Sequence, residues 1–168
     1  HKHSLAPAAI LITHCHADHI VGIDPLTQRW PGIDLYVPAA EADWLGDARK
    51  NLSSGFGMAL TVAARATRPI RPGESLPLED LAWQVLDVSG HSPGGVAYYC
   101  PAGKVVIVGD ALFAGSIGRT DLPGSSERQL LENIRRNLMS LPDDVAVYPG
   151  HGPATTIGQE RATNPFLR

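Results

Sequence analysis

The chain has 168 residues and a formal net charge of −3, and its 43% hydrophobic and 18% charged residues are ordinary for a globular protein. This length suffices for one domain with a buried core, and no domain boundary is evident over residues 1–168. No cluster of lysine and arginine indicates a nucleic-acid partner, and no apolar run approaches the ~20 residues of a membrane span. Two cysteines, Cys15 and Cys100, are too few for a disulfide framework, which favours a reducing, cytoplasmic location.

Short apolar runs followed by polar or glycine-containing segments predict strands along the chain. The predicted strands are residues 8–13, 34–37, 81–88, 96–100, 104–108 and 145–148. A short helix is predicted to begin with Asp24 as its N-cap and Pro25 as its first residue. A second helix is predicted from Ser126, which has capping-box spacing to Gln129, until Pro142 stops an apolar stripe of helical period. Residues 38–80 are predicted to form a helix and an irregular loop.

The strongest chemical signal is the segment Thr-His-Cys-His-Ala-Asp-His at residues 13–19. Imidazole and carboxylate groups are ligands that zinc prefers. Because residues i and i+2 of an extended segment face the same side, His14 and His16 can converge on one ion. The chain then turns, so Asp18 and His19 can reach a second position. Cys15 points the opposite way and is interpreted as buried packing.

Three further candidate ligands, His91, Asp110 and His151, each lie just beyond the end of a predicted strand. Taken singly, each is more readily explained as a loop or turn residue. Strand ends meet at one edge of a sheet, however, where binding sites usually lie. Together with the first motif, they therefore predict a metal site. His1 and His3 are interpreted as incidental.

These residues resemble the metallo-β-lactamase superfamily and, within it, the short glyoxalase II-like (hydroxyacylglutathione hydrolase-like) enzymes. The matching segments are THCHADH at 13–19, SGHSPGG at 89–95, VGDALFAGSIGRTDLPG at 108–124 and YPGHGPATTIGQERATNPFL at 148–167. The resemblance implies an α/β fold, the αββα sandwich, with metals at one edge of its two sheets. Because the family usually has several strands before its first histidine motif, the N-terminal strands are expected to be missing from 1–168. The extra C-terminal helical domain of longer glyoxalase II enzymes is also expected to be missing from 1–168.

The resemblance implies a site with two metal ions, with zinc expected and iron or manganese as alternatives. His14, His16 and His91 would bind the first ion, Asp18, His19 and His151 the second, and Asp110 would bridge both. A hydroxide bridging the metals would then cleave thioesters such as S-lactoylglutathione, with Asp110 and Asp18 as the catalytic residues. Arg119 is the candidate for binding an anionic part of the substrate, and an ion pair with Asp121 is the equally weighted alternative.

Other functions remain open at this stage. Iron-dependent persulfide dioxygenases share the THCHADH and GRTD segments and use one iron held by two histidines and an aspartate, whereas His151 favours the two-metal hydrolase. A non-catalytic zinc domain is disfavoured because structural zinc sites are usually rich in cysteine. β-Lactam hydrolysis is disfavoured because no export signal is visible. The expected partner is a small-molecule thioester, without nucleic acid or membrane, and homo-oligomers are not excluded. Tyr148 is expected to pack in the core.

Overall fold

The computed structural model describes residues 6–78 and 80–168. They fall into two compact units, one that ends at Ile70 and one that spans Arg71–Arg168. His1 and His3 lie outside the described residues. The expectation of one hydrolase domain over residues 1–168 stays a prediction.

The N-terminal unit is built on a parallel sheet of three strands, β1 (Ala9–Leu11), β2 (Asp34–Pro38) and β3 (Arg68–Ile70), in the order β1-β2-β3. Parallel neighbours need crossover connections. The first crossover contains helices α1 (Ala17–Ile20) and α2 (Ile23–Arg29). The second contains two 3-10 helices, Ala39–Gly46 and Ser53–Phe56. The prediction of a helix and an irregular loop over residues 38–80 missed the two strands in this range, Arg68–Ile70 and Ser75–Leu78, and its helical part consists of 3-10 helices.

Apolar side chains from these elements form the core of the N-terminal unit, including Ile20, Ile23, Leu35 and Val37. Helix α2 differs from its prediction at the start, because its N-cap is Gly22 and Asp24 lies inside the first turn. The carboxylate of Asp24 instead accepts hydrogen bonds from the backbone N–H groups of residues 63 and 64, both at 2.9 Å. This long-range contact competes with local capping, so the cap could not be read from neighbouring residues.

The C-terminal unit contains a six-stranded mixed sheet in the order β11-β10-β7-β6-β5-β4. Its strands are β4 (Ser75–Leu78), β5 (Leu81–Asp87), β6 (Val96–Cys100), β7 (Val105–Gly109), β10 (Ala146–Pro149) and β11 (Thr155–Thr156). A separate hairpin is formed by β8 (Leu112–Phe113) and β9 (Ser116–Ile117). The central strand β6 is buried along its whole length, as expected for a strand covered on both faces.

Two helices complete the C-terminal unit. Helix α3 (Glu127–Asn133) begins at the predicted cap, where the Ser126 side chain accepts from the backbone N–H of Gln129, and it continues as a π-helical turn, Ile134–Leu138. Helix α4 (Ile157–Thr163) is capped by Thr156 and was not predicted. Leu130, Ile134 and Leu138 are fully buried, which confirms the predicted apolar stripe.

The expectation that Tyr148 packs in the core is wrong, since its side chain is 49% exposed. Successive side chains of strand β10 point to opposite faces of the sheet, so Val147 is buried and Tyr148 faces the other way. Tyr148 pairs in register with Ile107 of β7, which is also exposed. Within the described residues, no helix has the length and apolar character needed to cross a membrane.

Candidate functional site

Three imidazoles of the 13–19 segment lie close together in the N-terminal unit. His14 and His16 follow β1 and are buried. Their ring centroids are 4.7 Å apart in an edge-on arrangement, and the centroids of His14 and His19 are 4.1 Å apart. The rings of His14 and His16 therefore lie close together, and their binding of one ion stays a prediction. Helix α1 begins directly after His16 and brings His19 back toward His14.

Asp18 and His19 form a second pair on α1. The Asp18 Oδ2 atom lies 3.6 Å from His19 Nε2, and the side chains are 58% and 14% exposed respectively. This separation is longer than a good hydrogen bond. It is close to the ~3.4 Å between two ligand atoms bound at ~2.1 Å to one tetrahedral ion. The N-terminal unit thus presents a buried histidine pair and a more accessible carboxylate–imidazole pair.

The backbone of this segment is held by a buried carboxylate that sequence analysis missed. Glu41 is 0% exposed, and its Oε2 atom accepts a hydrogen bond from the backbone N–H of Cys15 at 2.7 Å. A buried carboxylate is stable only when such donors satisfy it. Burial, with the nearby carboxylates of Glu41 and Asp43 as smaller contributions, raises the pKa of the Cys15 thiol well above its usual range. Cys15 is fully buried, as predicted.

In the C-terminal unit, one carboxylate oxygen lies between two imidazoles. Asp110 Oδ2 is 3.8 Å from His91 Nε2 and 3.6 Å from His151 Nε2. His91 and Asp110 are largely buried, whereas the His151 side chain is 57% exposed. Both separations again suit ligand atoms that share an ion better than a direct hydrogen bond. Asp110 therefore lies close to both histidines, and its bridging of two ions stays a prediction.

The loop containing His91 is fixed by the start of α3. Ser126 donates its backbone N–H to the carbonyl of Gly90 at 2.7 Å. A Cβ atom at Gly90, whose φ is +137°, would collide with the backbone of Leu130. Asn133 is buried, and its Nδ2 atom donates to the Ser89 carbonyl at 2.9 Å and lies 3.0 Å from Ser89 Oγ. The residues before His91 are thus hydrogen-bonded to both the start and the end of α3.

The orientation of the His91 ring depends on a backbone group that sequence analysis did not identify. His91 Nδ1 lies 2.8 Å from the carbonyl oxygen of Arg119. Because a carbonyl only accepts, Nδ1 is the protonated nitrogen in this contact, and the Nε2 lone pair is directed elsewhere. The preceding Gly118 packs so closely that a Cβ atom there would collide with the Asp110 carbonyl oxygen. In the sequence, the glycine of the Ile-Gly-Arg-Thr segment was the only indication of this close backbone packing.

The Arg119 side chain pairs with Asp121. Its Nε atom donates to Oδ1 at 2.7 Å and one terminal nitrogen donates to Oδ2 at 2.8 Å, with both side chains more than half exposed. The Arg119 guanidinium lowers the pKa of the Asp121 carboxyl to about 2. The alternative weighed for Arg119 in the sequence, an ion pair, is therefore formed. Substrate binding by Arg119 stays a prediction.

The donor atoms in each unit fit divalent metal ions of the zinc type. The side chains offer imidazole and carboxylate groups, with no thiol among them, and several are buried next to one another. Without a metal, clustered imidazoles and carboxylates would gain little from burial. Imidazole and carboxylate groups without thiols are the ligand types of catalytic zinc sites rather than of structural ones.

A profile described as "Metallo-beta-lactamase superfamily" matches residues 3–151. The chain belongs to the metallo-β-lactamase superfamily. It is 41% identical over 164 residues to the Bacillus subtilis protein named "Probable metallo-hydrolase YqgX", covering 97% of this chain and 77% of that protein. It is 35% identical over 159 residues to "Hydroxyacylglutathione hydrolase GloC" of Haemophilus influenzae, covering 94% and 74%.

Solved structures agree with the metallo-β-lactamase fold. The structure of "BLEG-1 B3 metallo-beta-lactamase" matches with a TM-score of 0.95 and 41% identity, covering 99% of this chain and 79% of that one. The structure of "TTHA1623 in a di-iron-bound form" matches with a TM-score of 0.87 and 40% identity, covering 99% and 80%. The expected α/β metallo-β-lactamase fold is confirmed. The protein is a metallo-hydrolase of this superfamily, and the fold implies binding of divalent metal.

Proposed function

We propose that this metallo-β-lactamase family member binds two divalent metal ions and hydrolyses thioesters of the S-lactoylglutathione type. His14, His16 and His91 bind one ion, Asp18, His19 and His151 bind the other, and Asp110 bridges them. Seven ligand groups are too many for one tetrahedral ion. The similarity to TTHA1623, solved in a di-iron-bound form, supports two metals, while zinc is our expectation from the ligand types.

The observation that supports this proposal best is the position of the Asp110 carboxylate. One of its oxygens lies within 4 Å of an imidazole nitrogen of both His91 and His151. We assign His91 and His151 to different ions. A carboxylate placed between ligands of two ions can bind both and offset part of their charge.

When bound, two divalent ions would supply a water molecule whose pKa is lowered toward neutrality, together with positive charge for the carbonyl oxygen. The side chains and backbone of the protein would orient that water and the metal ligands. In this proposal, Asp110 would accept a hydrogen bond from that water, and Asp18, whose side chain is 58% exposed, would accept a proton. The Arg119 carbonyl favours the His91 tautomer that is protonated at Nδ1, in which Nε2 is the nitrogen that would bind metal.

Thioesters suit this set of residues because the leaving group needs little help. A thiol has a pKa near ~8.5, so a thiolate departs without a strong general acid. No buried acid is assigned to protonate the leaving group in our scheme. The similarity to the hydroxyacylglutathione hydrolase GloC supports this substrate class.

Elemental analysis and steady-state kinetics on the purified protein test the proposal. We expect two metal ions per chain and cleavage of S-lactoylglutathione. Asp110→Asn should lower kcat by at least about 100-fold, because changes one shell further out already cost about 10- to 100-fold. Asp144→Asn is the matched control, since that carboxylate is exposed and pairs with Lys104. Unchanged turnover of Asp110→Asn with both metals bound would show that Asp110 is only a turn residue.

Substrate choice is tested through Arg119. We expect a weak KM for glutathione thioesters and tolerance of different thiol portions, because remote contacts provide much of the binding energy. Arg119→Ala should raise KM more than it lowers kcat if the guanidinium binds a substrate carboxylate in both ground and transition states. One iron per chain with oxygen consumption on glutathione persulfide, and no thioester cleavage, would refute the hydrolase proposal.

Hydrolysis of β-lactams is a second candidate, favoured by the similarity to the structure named as a B3 metallo-β-lactamase. An amide-type leaving group is a far poorer leaving group than a thiolate, so this reaction asks more of proton donors. A chromogenic cephalosporin assayed beside S-lactoylglutathione separates the two. We expect kcat/KM to favour the thioester.

A further inference from the structure

The C-terminal segment after His151 contains buried polar residues that the proposed chemistry does not use. Its Thr-Thr-Ile-Gly-Gln-Glu run forms β11 and enters α4, whose cap is Thr156. Two residues on the inner face of this region, Glu160 and Asn164, are 1% and 0% exposed. Burying a carboxylate this completely is costly unless donors surround it, so the partners of Glu160 indicate what it does.

Glu160 uses both carboxylate oxygens to join separate segments of the C-terminal unit. Oε1 accepts from the Thr155 hydroxyl at 2.6 Å, and Oε2 accepts from the backbone N–H of Gly115 at 2.9 Å. The Asn164 Nδ2 group donates to Oε2 at 2.8 Å and to the Ser116 carbonyl at 3.0 Å. A carboxylate suits this position because both of its oxygens accept hydrogen bonds, whereas a side-chain amide accepts through its one oxygen.

Gly115 and Ser116 belong to the hairpin that leads to the His91 contact. Gly115 has a φ of +71° at the tip between β8 and β9. Two residues after Ser116, Gly118 donates its N–H to the Ala111 carbonyl at 3.2 Å. The next carbonyl, that of Arg119, is the acceptor for His91 Nδ1. The position of this acceptor therefore depends on where the hairpin is held.

We propose that Glu160, assisted by Asn164, is a positioning residue that holds the β8–β9 hairpin so that the Arg119 carbonyl fixes the tautomer of His91. Its functional meaning rests on the proposed role of His91 as a metal ligand. The same carboxylate holds Thr155, four residues beyond His151. One buried side chain thus links the hairpin to the segment that follows the exposed histidine.

The direct test is the tautomer of His91, observed by long-range proton–nitrogen NMR of the full chain loaded with zinc and again after chelation. At a pH where imidazoles are neutral, the wild type should show His91 protonated at Nδ1. Glu160→Ala should give mixed tautomers or a broadened signal. Glu160→Gln should resemble the wild type, because its oxygen can face Gly115 and Asn164 while its amide faces the Thr155 hydroxyl. Gln159→Ala, on the exposed face of α4, should change nothing.

Zinc competition with a chromogenic chelator gives a second readout. We expect Glu160→Ala to weaken zinc about 10- to 100-fold, the range for residues that orient a ligand, and Glu160→Gln to restore most of the affinity. If Glu160→Ala does not fold, Asn164→Ala decides by the same criteria with a smaller expected effect. Glu160→Ala with wild-type His91 signals and zinc affinity would overturn the proposal. A wild type that cleaves no thioester would instead refute the proposed function and leave the His91 result to decide on Glu160.

Discussion

Replacing Asn133 tests whether α3 holds the loop before His91. The side-chain amide donates to the Ser89 carbonyl at 2.9 Å and reaches Ser89 Oγ at 3.0 Å and Asp87 Oδ1 at 3.2 Å. Its two hydrogens can satisfy two of these acceptors at once, each worth about 0.5–1.5 kcal/mol net, and a buried carbonyl left unpaired costs about 1–3 kcal/mol. Asn133→Ala should therefore lower the free energy of unfolding by about 2–4 kcal/mol.

Urea and thermal unfolding measure this effect. For a chain of this length, the loss corresponds to roughly 5–15 °C in Tm. The control is Glu132→Ala, an exposed neighbour whose i,i+4 pair with Arg128 is worth about 0.3–0.5 kcal/mol. The urea midpoint should fall for Asn133→Ala while the m-value stays constant. If both variants unfold within about 0.5 kcal/mol of each other, a span typical of surface substitutions, the loop is not held as we describe.

Three further predictions concern exposure and charge. Cys15 and Cys100 are at most 1% exposed, so a thiol reagent should label neither in the folded protein and both in denaturant; labelling of native protein would contradict their burial. Arg119→Ala should return the pKa of Asp121 from about 2 toward its ordinary 3.8, which a carbon NMR titration can follow. Because the pKa of Asp121 is lowered in the folded protein, the ion pair stabilises the fold above about pH 4. This stabilisation is lost as the pH falls toward 2. The ion that we propose Asp18 binds should be removed by a chelator before the other, because the Asp18 side chain is 58% exposed. Release of both ions in one phase would argue against this asymmetry.

The sequence predicted the secondary structure around the candidate ligands well because its signals are local. Strand β5 ends at Asp87 and β7 at Gly109, within one residue of the predicted ends. The i and i+2 spacing of His14 and His16 was enough to predict that their rings come together. The cap at Ser126 and the apolar stripe of α3 also follow from residues within one or two helical turns.

What the sequence did not reveal depends on partners far along the chain. Glu41 acts on Cys15 from 26 residues away, and Glu160 acts on Gly115 from 45 residues away. Nothing near either glutamate distinguishes it from a surface carboxylate. The role of the Arg119 carbonyl was hidden for a different reason, because any residue type offers the same backbone oxygen. The exposure of the Tyr148 side chain could not be predicted without knowing which strands flank β10.

The close approach of Gly118 to the Asp110 carbonyl has a consequence for laboratory evolution of this enzyme. Any side chain at position 118 must push that carbonyl aside and also meet the Cβ atom of His91, 3.2 Å from where its own Cβ would lie. A library randomised there should return glycine almost alone among active clones.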